Sequence, residues 1–303
     1  MKTAYLGTSE FAETVLRRLA ASRHKPALVV TPPDSHKGRG RRLAPPPAAE
    51  TARELGLKLE QTADVNSPDS VEAIRAAEPE AIAVCAFGQL IKEPLLSDYT
   101  MLNVHPSLIP RWRGAAPIER ALMAGDVLTG VTIMQVTAGL DSGPMALAEE
   151  VPVSADDDYE SLSAKLAKVG GELLVRALGE LQAGRLDFTE QDDARATYAE
   201  KVSADERHLP PSRSANELER TVRALTPHVG AYLELEGGER LGVREARAVQ
   251  DGPAEGAIET RGDQLVLGSS DGGLALGIVQ PPGKKPMSAA DFLRGHAPPE
   301  KAV

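Results

Sequence analysis

Apolar positions along this chain follow two regimes, and the change falls shortly after residue 180. Short, nearly unbroken apolar runs at 2–6, 27–30, 57–61, 81–85, 101–104, 131–136 and 146–153 predict strands. Between them lie stretches of helical spacing, at about 9–21 with Ser9 as the cap, from 45–47 to near Gly56, at 68–77, at 115–124, and at 158–183 as one long amphipathic helix. Alternation of this kind predicts an α/β architecture, a doubly wound, mostly parallel sheet. After about residue 185 an acidic, irregular stretch reads as a linker, 186–211. A helix at 215–225 then precedes short strands at 232–236, 240–249, 257–260, 264–268 and 274–280, separated by Gly-rich turns. That spacing predicts a smaller C-terminal β-barrel, OB-like, over 212–303, following a catalytic domain over 1–185. Between the second strand and the helix after it runs TPPDSHKGRGRRLAPPP, whose prolines and glycines predict an irregular loop.

Composition narrows the class. A length of 303 residues suggests two domains, and 42% hydrophobic content supplies a core that must be Ala, Val and Leu, since aromatics are only 3%. One cysteine excludes a disulfide framework and a multi-cysteine zinc site. No secretory leader and no membrane-length apolar run is read at the N-terminus or beyond, so the expectation is a cytoplasmic protein without a targeting segment.

The net charge of −10 argues at first against a nucleic-acid partner, but its distribution reverses that reading. Residues 148–160 hold −6 and residues 187–206 hold −5, so the rest of the chain carries +1. Within it, Lys37-Gly38-Arg39-Gly40-Arg41-Arg42 concentrates four positive charges. A long loop of this kind is more often functional than idle. LGTSEFAETVL after the first strand lacks the later glycines of a dinucleotide fingerprint, and no Gly-Lys-Thr phosphate loop is present. Neither a nicotinamide cofactor nor ATP is expected.

The stretch NVHPSLIPRWRG carries the chemistry. Side chains alternate along a strand, so Asn103 and His105 share one side of the strand at 101–104 and point from its C-terminal end, where α/β sheets bind ligands. Asp141 in GLDSGPM hangs from the end of another strand. Singly, each has an ordinary structural use. Together, an amide donor, an imidazole and a carboxylate suit acyl transfer.

NVHPSLIPRWRGAAPIERALMAGDVLTGVTIMQVTAGLDSGPM closely resembles the signature region of the folate-dependent formyltransferases, with its Asn-x-His, Ser-Leu-Leu-Pro and distant Asp. GTSEFA, TPPDSHKGRGRRL, AFGQLI, TYAEK and QPPGKKPMSAADFLRG also have counterparts in the family, in particular in its tRNA-directed branch. The resemblance implies that Asn103, His105 and Asp141 are catalytic, and that Ser107, Leu108, Ile109 and Pro110 line the folate pocket with Phe87, Gly88 and Leu90 nearby. It implies 10-formyltetrahydrofolate as co-substrate, no metal, and initiator methionyl-tRNA as acceptor for translation initiation, and the expected working unit is a monomer. Lys37, Arg39, Arg41 and Arg42 would meet the acceptor stem, Arg39 matching the family's key arginine. The start of the second domain carries no Trp, where the tRNA-directed branch often has one. Two rivals stand beside this reading: a sugar-nucleotide N-formyltransferase using the same donor, and a catalytically dead RNA-binding module. The basic loop and Lys284-Lys285 speak against the first, the intact triad against the second.

Overall fold

The computed structural model describes residues 1–37 and 42–303, with the side chains of Lys37 and Arg42 outside that description. Its strands are β1 (Thr3–Gly7), β2 (Pro26–Thr31), β3 (Ser35–Lys37), β4 (Arg42–Ala44), β5 (Leu59–Gln61), β6 (Ala81–Cys85), β7 (Met101–His105), β8 (Arg113–Gly114), β9 (Leu128–Gln135), β10 (Met145–Pro152), β11 (Tyr198–Ala199), β12 (Ala231–Glu234), β13 (Arg240–Val249), β14 (Ile258–Arg261), β15 (Gln264–Gly268), β16 (Gly273–Gln280) and β17 (Met287–Ser288). The helices are α1 (Glu10–Ala20), α2 (Pro47–Glu54), α3 (Pro68–Ala76), α4 (Leu95–Asp98), α5 (Pro117–Ala124), α6 (Tyr159–Gln182), α7 (Ala215–Leu225) and α8 (Ala289–Gly295). They form two compact units: residues 1–114, 128–152 and 163–198, and residues 115–127, 153–162 and 199–303.

The first unit is a seven-stranded sheet in the order β10-β9-β7-β6-β1-β2-β5. From β5 to β7 it is parallel, whereas β9 and β10 add on antiparallel. The chain builds outward through β1, β2 and β5, then crosses to β6 and builds the other way. The order therefore reverses between β1 and β6, the kind of switch point at whose carboxyl ends α/β proteins bind ligands. Every residue of β1 and β6 is buried, which is why both read as unbroken apolar runs. The helix after β1 starts where expected: the Ser9 side chain accepts from the Ala12 N–H, acids occupy the first turn of α1 and arginines its last.

One expectation is overturned here. The segment read as irregular contains a hairpin, with Ser35 opposite Ala44, His36 opposite Leu43 and Lys37 opposite Arg42. Pro32, Pro33 and Pro45–Pro47 flank the paired residues instead of interrupting them, so no ladder donor is lost.

The second unit packs α7 and α8 on an antiparallel sheet in the order β12-β13-β16-β15-β14, with β17 beside β16. Ser214 and Glu217 form a reciprocal capping box at the start of α7, which buries Leu218, Val222 and Leu225 against Leu233, Val243, Leu267 and Leu276. The C-terminal residues close the sheet on itself. Leu235, beside β12, bridges to Ala302, and Ala257, beside β14, bridges to Lys301. The Glu236 and Ile258 N–H groups donate to the Lys301 and Glu300 carbonyls at 3.0 and 2.8 Å. Both edges thus gain a partner, as a barrel requires. Within the same unit the Arg120 guanidinium grips Glu206 and holds its carboxyl down at about 2. Among the described residues, no helix is long and apolar enough to cross a membrane.

Candidate functional site

The site grows from the end of β7. Alternation buries Val104 in the sheet and leaves Asn103 and His105 on the opposite side, with Asn103 half-buried. Beside it, β9 pairs antiparallel so that Asn103 lies opposite Met134 and His105 opposite Thr132. The connection from β9 to β10 leaves beside Met101, whose carbonyl accepts from the Val136 N–H at 2.9 Å, and folds back to bring Asp141 to the pair. Asn103 Nδ2 stands 3.5 Å from Asp141 Oδ1, and His105 Nδ1 stands 3.7 Å from Asp141 Oδ2. The three residues singled out in the sequence are brought together.

Their surroundings fix what each can do. His105 Nε2 lies 2.8 Å from the Trp112 carbonyl, so the ring nitrogen there must carry its hydrogen. The imidazole is thus held between a carbonyl and a carboxylate, both acceptors. Asp141 Oδ2 also accepts from the Gly114 N–H at 2.9 Å. The carboxylate is not sealed: its side chain is 18% exposed, next to a His105 that is 4% exposed. Together they form a buried base plate with one open edge.

Backbone strain collects here. Among the described residues four non-glycine positions have positive φ, and three of them lie in loops around this site: Ala86 (φ 44), Trp112 (φ 63) and Asp141 (φ 45). Each costs on the order of 1–3 kcal/mol and persists only where neighbours over-determine it. Two of the three aim a group used above, the Trp112 carbonyl and the Asp141 carboxylate.

The residues expected around the folate pocket divide. Ser107 is buried, its hydroxyl donating to the Arg111 carbonyl at 2.6 Å and its own carbonyl receiving Thr132 Oγ1 at 2.8 Å. Ile109 and Phe87 are buried as well, Phe87 within the core beneath the sheet. Leu108 packs where a side chain at Gly130 would sit, and the Pro110 carbonyl accepts from the Thr197 N–H at 3.1 Å. Ser107, Ile109 and Phe87 thus shape the loops from within, whereas Leu108 and Pro110 remain partly exposed. Gly88 (φ 77) supplies a turn only glycine makes cheaply, and Leu90 points outward, 65% exposed. At the switch point itself, Thr8 Oγ1 donates to the Phe87 carbonyl at 2.8 Å, tying the loops after β1 and β6. The nearby Cys85 thiol is pushed up to about 12 by burial, which keeps it protonated and inert at neutral pH. Of the basic loop, Arg39 and Arg41 lie outside the described residues, as do the side chains of Lys37 and Arg42.

Sequence reasoning missed the residues that hold these loops from further along the chain. The 186–211 stretch was expected to tether two domains, yet its first part is stitched into this site. Trp112 N–H donates to Thr197 Oγ1 at 2.9 Å, Arg113 N–H to the Thr197 carbonyl at 2.9 Å, and Gln191 reaches the Asp141 loop. Only TYAEK, which begins at Thr197, had been marked, through its family counterpart.

Residues 1–178 match the family model described as formyl transferase, and residues 201–297 match the formyl transferase C-terminal domain. The chain belongs to the formyl transferase family. Among its relatives within that family is the methionyl-tRNA formyltransferase of Methylococcus capsulatus, 41% identical over 301 residues, an alignment covering 98% of this chain and 97% of the relative. The methionyl-tRNA formyltransferase of Halorhodospira halophila is also 41% identical, covering 97% of this chain and 96% of its own. Solved structures share the formyl transferase fold at lower identity. HypX from Aquifex aeolicus in complex with tetrahydrofolic acid superimposes with a TM-score of 0.67 at 17% identity, over 100% of this chain and 50% of that one. The sugar 3N-formyl transferase WlaRD gives 0.68 at 14% identity, over 94% and 99%.

Proposed function

We propose that this chain transfers the formyl group of 10-formyltetrahydrofolate to the α-amine of initiator methionyl-tRNA. The observation that carries the chemistry is the meeting of Asn103, His105 and Asp141 at the open end of β7, in a chain whose full-length relatives bear that activity in their names. The amine attacks the formyl carbon, and the carbonyl oxygen takes up negative charge. The Asn103 amide and a protonated His105 can both donate to that oxygen, His105 through its Nδ1–H, which at 3.7 Å from Asp141 Oδ2 is not committed to the carboxylate. Asp141 keeps His105 in its donating form and takes the proton that the amine must shed, directly or through water. When the carbon–nitrogen bond to the folate breaks, the donor's N10 takes up a proton and tetrahydrofolate leaves. The loops carrying Ser107–Pro110 and Phe87–Leu90 would hold the donor, largely through their backbone and shape.

The same reading gives residues 1–185 the chemistry and residues 212–303 a share of the tRNA, with Lys37, Arg39, Arg41 and Arg42 reaching the acceptor stem. Arg39→Ala is expected to raise the Michaelis constant for methionyl-tRNA roughly 10-fold while leaving that for the folate donor unchanged, and to flatten the salt dependence of kcat/KM by about one unit of log–log slope. Initial rates at several salt concentrations check this. An unchanged slope together with an unchanged tRNA constant would remove the loop from the tRNA interface.

A further inference from the structure

Gln191 spends both of its amide hydrogens on the Asp141 loop. Its Nε2 donates to the Asp141 carbonyl at 2.9 Å and to the Gly143 carbonyl at 2.7 Å, pinning the backbone on both sides of Ser142. Its Oε1 accepts from Arg113 Nε at 2.9 Å. The chemistry dictates this orientation, because the flipped amide would set its NH2 against a guanidinium and its oxygen against two carbonyls. Arg113 is itself buried, 3% exposed, and its outer nitrogen reaches Asp193 at 2.7 Å. The next residue, Gly114, supplies the N–H on the Asp141 carboxylate at 2.9 Å. One short relay therefore holds Asp141 twice, by its backbone through Gln191 and by its carboxylate through the Arg113–Gly114 strand.

We propose that Gln191 is a positioning residue for formyl transfer, locking the left-handed Asp141 so that its carboxylate stays in register with Asn103 and His105. It rests on the reading of Asp141 given above. Gln191 touches neither the acceptor amine nor the formyl group; it acts on them through Asp141. The loop has reason to need such a lock. Asp141 adopts φ 45 without the freedom of glycine, and its flanking loop residues Gly139 and Gly143 would otherwise let the backbone relax. The lock comes from about 50 residues further along the chain, so it also makes the acidic segment after α6 part of the catalytic unit.

The test uses the full-length enzyme carrying Gln191→Met, which keeps the length and loses all three bonds, and Gln191→Glu, which keeps the acceptor for Arg113 and loses both donors. Each is expected to lower kcat about 10- to 100-fold, since small misplacements of a catalytic group cost that much, with the constants for tRNA and folate donor within about twofold of wild type. In an Asp141→Ala background, already lacking the carboxylate, adding Gln191→Met is expected to change the residual rate by less than about twofold. Wild-type turnover in Gln191→Met beside a crippled Asp141→Ala overturns the proposal and spares the reading of the site. Wild-type turnover in Asp141→Ala overturns both. An equal loss in the two backgrounds, or loss of donor binding in both Gln191 variants, assigns the residue to folding alone and overturns it too.

Discussion

His105→Ala and Asp141→Asn are each expected to lose at least ~100-fold in the rate of formyl transfer while binding the folate donor nearly as well as wild type. Both residues act where charge develops. His105 is fixed by the Trp112 carbonyl at 2.8 Å and faces Asp141 Oδ2 at 3.7 Å, so removing the ring takes away the oxyanion donor. Asp141→Asn keeps the shape and can still accept from the Gly114 N–H, but it can no longer take a proton or support the charged imidazole. The two losses are expected to be far less than additive, because the pair works as one unit. Single-turnover rates paired with donor-binding titrations check this. Near-wild-type rates in either variant would sink the assignment.

Gly143→Ala is expected to damage catalysis comparably without touching any reacting group. A Cβ at this position would overlap the Gln135 carbonyl oxygen, where the β9–β10 connection pinches shut just beyond the Gln135 N–H to Pro144 carbonyl bond of 2.9 Å. The obstructing atom is backbone, so relief must come from moving the loop. That loop holds Asp141 two residues away, and a shift near 1 Å at a catalytic group can cost about 100-fold. Turnover is the readout, with the melting temperature as control. A variant that melts like wild type and turns over like wild type would mean that the loop's position is not critical.

How much of this was legible depends on the range over which each signal acts. The parallel strands were readable because β1 and β6 are buried on both faces and so spell continuous apolar runs. Asn103 and His105 followed from the two-residue period of a strand, a purely local rule. Asp141 could be grouped with them by its chemistry and by the family resemblance, but nothing local says that a turn 36 residues beyond His105 folds back against the same strand. Helix α8 was missed although its signal was present, with Ser288 capping the N–H of Asp291 in SAAD. The hairpin over β3 and β4 was missed because its polar residues show no alternation and the flanking prolines dominated the reading. Gln191 left no sequence trace, and the contacts of Arg113 and Thr197 could not be read even though both lie in segments with family counterparts, as hydrogen bonds spanning 48 to 85 residues have no periodicity. The same holds for barrel closure by Lys301 and Ala302, and for the second unit's use of residues 115–127 and 153–162.

The central claim is the acceptor. The most direct measurement supplies the purified full-length enzyme with 10-formyltetrahydrofolate and compares two amines under one buffer: methionine charged on initiator tRNA, and an amino-sugar nucleotide. The account predicts rapid formylation of the methionyl α-amine, detected as N-formylmethionine released from the tRNA, with kcat/KM exceeding that for the sugar nucleotide by at least ~1000-fold, as befits an acceptor held by many phosphate contacts that the small one cannot make. Formylation of the amino sugar at an equal or higher kcat/KM would contradict it.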